Sequence, residues 1–214
     1  MRQSAVSFIA KGMTFEGIIA FPDGEGPFPG VVMCHPHPLH GGSMDNNVVA
    51  AVTFGLADAG IASLRFNFRG VGNSQGQHAQ GEKEHEETLV AMEFLGALPD
   101  VDEERIGLGG YSFSTRVICA HKQLYKKPLA IALVAPSLEA LTDSPLQKDK
   151  TPRMIITGDR DRLVNSDGVD EQLGKFNPPA DYHVVAGADH FWVGQEHQMA
   201  EKVVQFFLDH LATP

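Results

Sequence analysis

The chain is poor in cysteine: Cys34 and Cys119 are the two among 214 residues, and each sits in an apolar run. That is too few for a disulfide framework, and the pair reads as two buried, reduced thiols. Positive charge is also scarce, with 17 Lys and Arg against 27 Asp and Glu and a formal net charge of −10. Such a surface repels phosphate backbones and anionic bilayers, which argues against nucleic acid and membranes as partners. No apolar stretch is long enough to span a bilayer. The first residues lack a signal-peptide pattern, because Lys11 interrupts the short run that ends at Ala10. The expectation is a cytoplasmic protein. Repeats and low-complexity tracts are absent too, so 1–214 reads as one domain, large enough to bury a core without disulfides or metal.

What is present is alternation. Two stretches, 5–10 and 14–21, read as antiparallel strands around a turn at Lys11-Gly12, and a Pro/Gly loop follows. Short runs apolar on both faces then recur at 31–34, 61–66, 106–109, 129–135, 154–157 and 182–185. Runs of this kind suit parallel strands covered on both sides. Between them lie segments of helical spacing. In 46–59, Val48, Val52, Leu56 and Ala59 share a face, and Gly60 can end the helix. In 82–98 the stripe is Val90, Ala91, Phe94, Leu95 and Leu98 with a charged opposite face, on which His85, Glu84, Glu86 and Glu87 read as solvated. The last helix, 195–211, turns Ala200, Val203, Val204, Phe207, Leu208 and Leu211 inward. The order β-β-β-α-β-α-β-α-β-α-β-α-β-α predicts an α/β fold: a mostly parallel, doubly wound sheet with antiparallel N-terminal strands. Ligands of such sheets bind beyond the carboxyl ends of the strands.

One such end is Gly109-Gly110-Tyr111-Ser112-Phe113-Ser114, between the 106–109 run and a helix predicted from Thr115. Strand, sharp turn and helix are the context of a nucleophile elbow, which lifts a serine hydroxyl above the sheet. Ser114 stands where the G-x-S-x-G pattern has glycine, and the bland alternative is a Gly-Ser turn in which Ser112 or Ser114 caps the helix. A serine needs a base, and in this architecture the acid and then the histidine follow it in the chain. Asp161 follows the 154–157 run, with Asp159 as its competitor, and either aspartate could simply cap a turn. His190 follows the last strand. The oxyanion donors would be the N–H of Phe113 and one from the loop after Cys34, where Pro36 and Pro38 leave His37 as the nearest donor. The same loop offers a rival reading as a metal site of His35, His37 and His40 with Asp45. The two prolines hinder the three rings from closing on one ion, so that reading is not favoured.

Five segments carry a family resemblance. They are His35-Pro-His-Pro-Leu-His-Gly-Gly-Ser-Met-Asp45-Asn-Asn, Phe66-Asn-Phe-Arg-Gly70-Val-Gly-Asn-Ser74, Gly110-Tyr-Ser-Phe, Gly158-Asp-Arg-Asp and Asp189-His190. Together they resemble small, cap-free α/β-hydrolases related to dienelactone hydrolase and prolyl-oligopeptidase-type catalytic domains. The resemblance implies the α/β-hydrolase fold, a Ser112-His190-Asp161 triad, no metal and no cofactor. Dienelactone hydrolases carry cysteine at the nucleophile, so Ser112 argues against that particular activity. Residues 136–150 leave no room for a cap domain, and the Arg69-Gly70 loop reads as structural. The site should therefore be open, bordered by Leu39, Tyr111, Phe113, Leu163, Phe191 and Trp192, and suited to small carboxylic esters. Amide or peptide cleavage by the same triad, and a non-catalytic binding protein on the same fold, stay open as alternatives, and a homodimer is compatible with the sequence without being signalled by it.

Overall fold

In the computed structural model, residues 1–164 and 166–211 are described, except for the side chains of residues 166 and 167. Eight strands form one sheet: β1 (Arg2–Ala10), β2 (Met13–Phe21), β3 (Phe28–Cys34), β4 (Ala62–Phe66), β5 (Val101–Tyr111), β6 (Ala130–Val134), β7 (Arg153–Gly158) and β8 (Asp181–Val185). Six helices alternate with them from β3 onward: α1 (Asn47–Asp58), α2 (Glu84–Gly96), α3 (Phe113–Ala120), α4 (Leu138–Leu141), α5 (Ser166–Leu173) and α6 (Glu196–Leu211). The strand order is β1-β2-β4-β3-β5-β6-β7-β8. β1 and β2 pair antiparallel, as do β2 and β4, and every later pairing is parallel. The sheet is the mostly parallel, doubly wound one that the alternation predicts. Among the described residues, no helix is long and apolar enough to cross a membrane.

Strand alternation divides the core. On one face Val31 and Met33 of β3 pack with Val48, Val52 and Leu56 of α1 and Val203 and Phe207 of α6. On the other, Val32 and Cys34 pack with Ala91, Met92 and Leu95 of α2 and Val117 and Ile118 of α3. Both cysteines are buried and free. The chain leaves β3 toward β4 on one side and returns to β5 on the other, so the carboxyl ends of β3 and β5 flank the crevice where such sheets bind ligands. Between β6 and β7 the chain makes only the four-residue α4 and one 3-10 turn at Pro145–Lys148, and no cap domain covers the crevice.

Helix α1 begins where Asn46 accepts the Val48 N–H at 3.0 Å, a side-chain N-cap. Helix α2 departs from the sequence expectation. Glu84 and Glu87 are wholly buried rather than solvated. Glu84 accepts the N–H groups of Ala79 (2.6 Å) and Gly81 (2.9 Å), so its carboxylate ties down the loop that leads into α2. Glu87 accepts both the backbone N–H and the Nε of Arg69, at 3.2 and 3.0 Å, and Arg69 also donates to Glu86 at 2.9 Å. A pattern of charges cannot reveal this, because the partner that makes burial tolerable comes from a distant loop. Removing one side of a buried ion pair leaves an uncompensated charge. Glu87→Ala should therefore lower unfolding stability by about 3–5 kcal/mol, read as a shift of the urea midpoint at unchanged slope; a loss below about 1 kcal/mol would mean that the pair is solvated.

Candidate active site

Ser112 lies between β5 and α3 with φ +55° and ψ −111°, a left-handed conformation that a side chain rarely adopts. Such geometry costs about 1–3 kcal/mol and persists only where its surroundings enforce it. Here the Ser112 N–H donates to the Val134 carbonyl at 2.9 Å, and Thr115 Oγ1 donates to the Ser112 carbonyl at 2.6 Å. The unexpected Ser114 is fully buried; its Oγ accepts the Tyr111 N–H at 2.7 Å and donates to the Cys34 carbonyl at 2.9 Å. The hydroxyl thus fastens the turn to the end of β3. Gly110 lets this happen, since a Cβ there would press on Ser114 Oγ and Ile118.

Ser112 Oγ is 2.9 Å from His190 Nε2, and His190 Nδ1 is 2.7 Å from Asp161 Oδ2. The Asp161 side chain is 1% exposed, and its other oxygen accepts the N–H groups of Leu163 (2.8 Å) and Val164 (2.9 Å). An ionised Asp161 accepts the Nδ1–H of His190 and leaves Nε2 free to accept from the serine hydroxyl. Asp159, the competing acid, is engaged elsewhere: its Oδ1 accepts the Gly187 N–H at 2.7 Å and shapes the turn before His190. The acid loop and the histidine loop touch at Gly158, where any Cβ would collide with the Ala188 backbone. Arg160 N–H donates to the Ala188 carbonyl at 2.9 Å across the same contact. Tyr111 donates from its hydroxyl to the His190 carbonyl at 2.7 Å. Burial, and then the carboxylates of Asp161 and Asp189, push the Tyr111 phenol up.

The loop after β3 is held by His35, which sequence reasoning weighed only as a metal ligand. The ring is buried; Nδ1–H donates to the Pro36 carbonyl at 2.7 Å, and Nε2 accepts the Phe68 N–H at 3.0 Å. Accepting from Phe68 needs an unprotonated Nε2, and burial pulls His35 down to about 4 despite the Pro36 bond, with His78 acting in the same direction as burial. Asp45 pairs with Arg65 at 2.6 Å, and among the described residues no group of three His, Cys, Asp or Glu side chains is placed to hold a metal ion. The next residue but one, His37, and Phe113 pack ring to ring at 4.8 Å. Neither backbone N–H is taken by an acceptor among the described residues.

A cleft of about 400 Å³ opens over Ser112, lined by Pro36, His37, Asn46, Tyr111, Leu163 and Phe191 among others. Leu163 and Phe191 stand at its mouth, 67% and 60% exposed. Three expected border residues are elsewhere, and of these Phe113 lines the hollows beside the cleft. Trp192 is fully buried in the core beside α6. Asp189 Oδ1 accepts the N–H groups of both Phe191 and Trp192, at 2.9 and 3.0 Å. Trp192 then takes φ +62°, so that Phe191 points out and Trp192 in. Leu39, 70% exposed on the 3-10 turn Pro38–His40, borders a neighbouring hollow and not this cleft. Asn47 was missed: its Nδ2 donates to the Phe191 carbonyl at 3.0 Å and to Glu196 at 2.9 Å, tying α1 to the histidine loop. An asparagine just past a helix cap carries no signal of that contact in sequence.

Comparison with known proteins places the fold. A family model described as an alpha/beta hydrolase domain matches residues 31–207. A solved α/β serine hydrolase homologue from Coxiella burnetii is 31% identical, with 96% of this chain and 97% of that one aligned at a TM-score of 0.85. A Xanthomonas campestris protein, described as an α/β serine hydrolase without lid, shares the fold at a TM-score of 0.84 and 24% identity, over 100% of this chain and 98% of that one. Among curated relatives, the esterase FrsA of an Enterobacter strain is 29% identical over 170 residues, 77% of this chain; the chain spans 39% of that protein's length.

Two measurements check the scaffold. Ser114→Ala leaves a buried N–H and a buried carbonyl unpaired, and should destabilise the protein by about 1–3 kcal/mol in urea unfolding; a neutral result would mean that the elbow does not lean on this hydroxyl. For His35, the unfolded ring takes up a proton near 6.5 and the native ring near 4, so the unfolded state binds more protons between these values. Stability from His35 is complete above pH 6.5 and declines as pH falls toward 4. From pH 6.5 to pH 5 the wild type should lose roughly 1–2 kcal/mol more than His35→Gln. Equal pH slopes in the two proteins would contradict it.

Proposed function

The chain belongs to the α/β-hydrolase domain family, and from that membership and the Ser112–His190–Asp161 arrangement we propose that it is a serine hydrolase of small carboxylic esters. The observation that carries the reading is the 2.9 Å contact between a serine in elbow geometry and a histidine oriented by a buried aspartate. Ser112 attacks the ester carbonyl while His190 Nε2 takes its proton. Asp161 holds the imidazole in the required tautomer and stabilises its charged form. The N–H groups of His37 and Phe113 receive the oxyanion as charge develops there. His190 then protonates the leaving alcohol and afterwards activates water against the acyl-enzyme, which returns Ser112 to its starting state.

Substrate size follows from the cleft. With no cap over the crevice and an apolar wall of Tyr111, Leu163 and Phe191, a short acyl group is desolvated on one side and open to solvent on the other. The name of the esterase relative supports ester chemistry over amide chemistry. Hydrolysis of p-nitrophenyl acetate and butyrate tests the reading. Ser112→Ala should abolish the burst of p-nitrophenol, and Asp161→Asn should lower kcat by about 10⁴ with the fold unchanged by circular dichroism. Turnover by Ser112→Ala at the wild-type rate would overturn the assignment.

A further inference from the structure

The crevice has a second arm. Past Phe113, the rings of His37, His40 and His78 and the side chains of Gln80 and Arg116 surround a hollow of about 300 Å³ with no carboxylate in its lining. An adjoining hollow of about 240 Å³ shares His37, His40, Phe113 and Arg116 with it and reaches Ser112 and His190; Glu139 is also in its lining. Arg116 is exposed and has no ion-pair or hydrogen-bond partner among the described residues. Ion pairs among the described residues take up five of the 17 Lys and Arg side chains: Arg2, Arg65, Arg69, Arg105 and Lys175. Arg116 instead faces histidines, and after burial and His40 and His78 it is a further influence that pushes the His37 ring down. His78 adds an unmet demand in the wall: its side chain is 8% exposed, Nδ1 lies 3.1 Å from Glu84, and neither buried ring nitrogen has a hydrogen-bond partner among the described residues.

Spacing links this arm to the chemistry. Ser112 caps α3, Arg116 follows it by four residues, and both line the 240 Å³ hollow. We propose that the arm is a subsite for a carboxylate carried by the substrate and held by Arg116 while the ester lies at Ser112. The inference rests on the ester-hydrolase reading above and narrows its substrate to a short ester that also bears a carboxylate. The planar guanidinium fork matches a carboxylate, and the chain's overall negative charge disfavours a more highly charged phosphate.

The test compares kcat/KM for p-nitrophenyl hydrogen glutarate with that for p-nitrophenyl valerate, which have equal chain length and the same leaving group. A second pair, 4-carboxyphenyl and phenyl valerate, places the charge on the alcohol side. In one of the pairs the ratio of charged to neutral substrate should fall about five- to tenfold in Arg116→Gln, fall less in Arg116→Lys, and shrink in the wild type as salt is raised. Ratios unchanged in Arg116→Gln overturn the proposal, as does a ratio that falls only in Arg162→Gln, whose side chain lines a different hollow with Leu163, His190 and Phe191. Failure of the ester reading itself looks different: folded wild type turns over neither member of either pair, or Ser112→Ala matches it on both, and the subsite then falls with that reading.

Discussion

Ser112 occupies a backbone conformation that a side chain reaches only under compulsion, and the rest of the crevice is organised around supplying it. The compulsion is a set of hydrogen bonds across three strands: Ser112 N–H to the end of β6, and Ser114 Oγ to the end of β3 and to the backbone of β5. These groups are buried, so the bonds cannot be exchanged for water, and relaxing the turn would leave polar atoms unpaired. A small strain is thereby stored at the point where a hydroxyl has to stand clear of the sheet. Serine in the place of the usual glycine gives up some closeness of strand and helix and gains a hydroxyl that bolts the elbow to β3.

The same economy of contacts assembles the other loops. Gly158 lets the β7 and β8 loops meet backbone to backbone, and Asp159 shapes the turn that presents His190, leaving Asp161 to face the ring. His35 anchors the β3 loop through a neutral, doubly bonded imidazole, and the buried Arg69–Glu87 pair anchors the loop after β4. Each loop is therefore fixed by a polar group in the interior, while the walls of the cleft above are left to side chains that make few such bonds. Arg116, on the first turn of α3, belongs to that less constrained layer, where substrate preference can vary without disturbing the elbow.

The architecture was legible because burial on both faces of a sheet writes continuous apolar runs, and those runs alternate with helical stripes in this chain. The positions of Ser112, Asp161 and His190 at strand ends could be read for the same reason. Sequence favoured Asp161 but kept Asp159 as a competitor, since the choice depends on which carboxylate meets a loop 29 residues away from Asp161. The side of the chain on which Phe191 and Trp192 fall was hidden, because an Asp189 turn and one left-handed residue reverse it. The buried Glu84 and Glu87 read as a solvated face because helical periodicity reports side-chain polarity and not the loop donors that satisfy it.

The account turns on Ser112 being an activated hydroxyl, while Ser114, two residues on, is an inert, bonded one. Treating the folded protein with a fluorophosphonate and mapping the adduct by peptide mass spectrometry addresses this directly. A single stoichiometric adduct on Ser112, with Ser114 unmodified, is the predicted result. Absence of an adduct from folded protein, or an adduct on another residue, would contradict it.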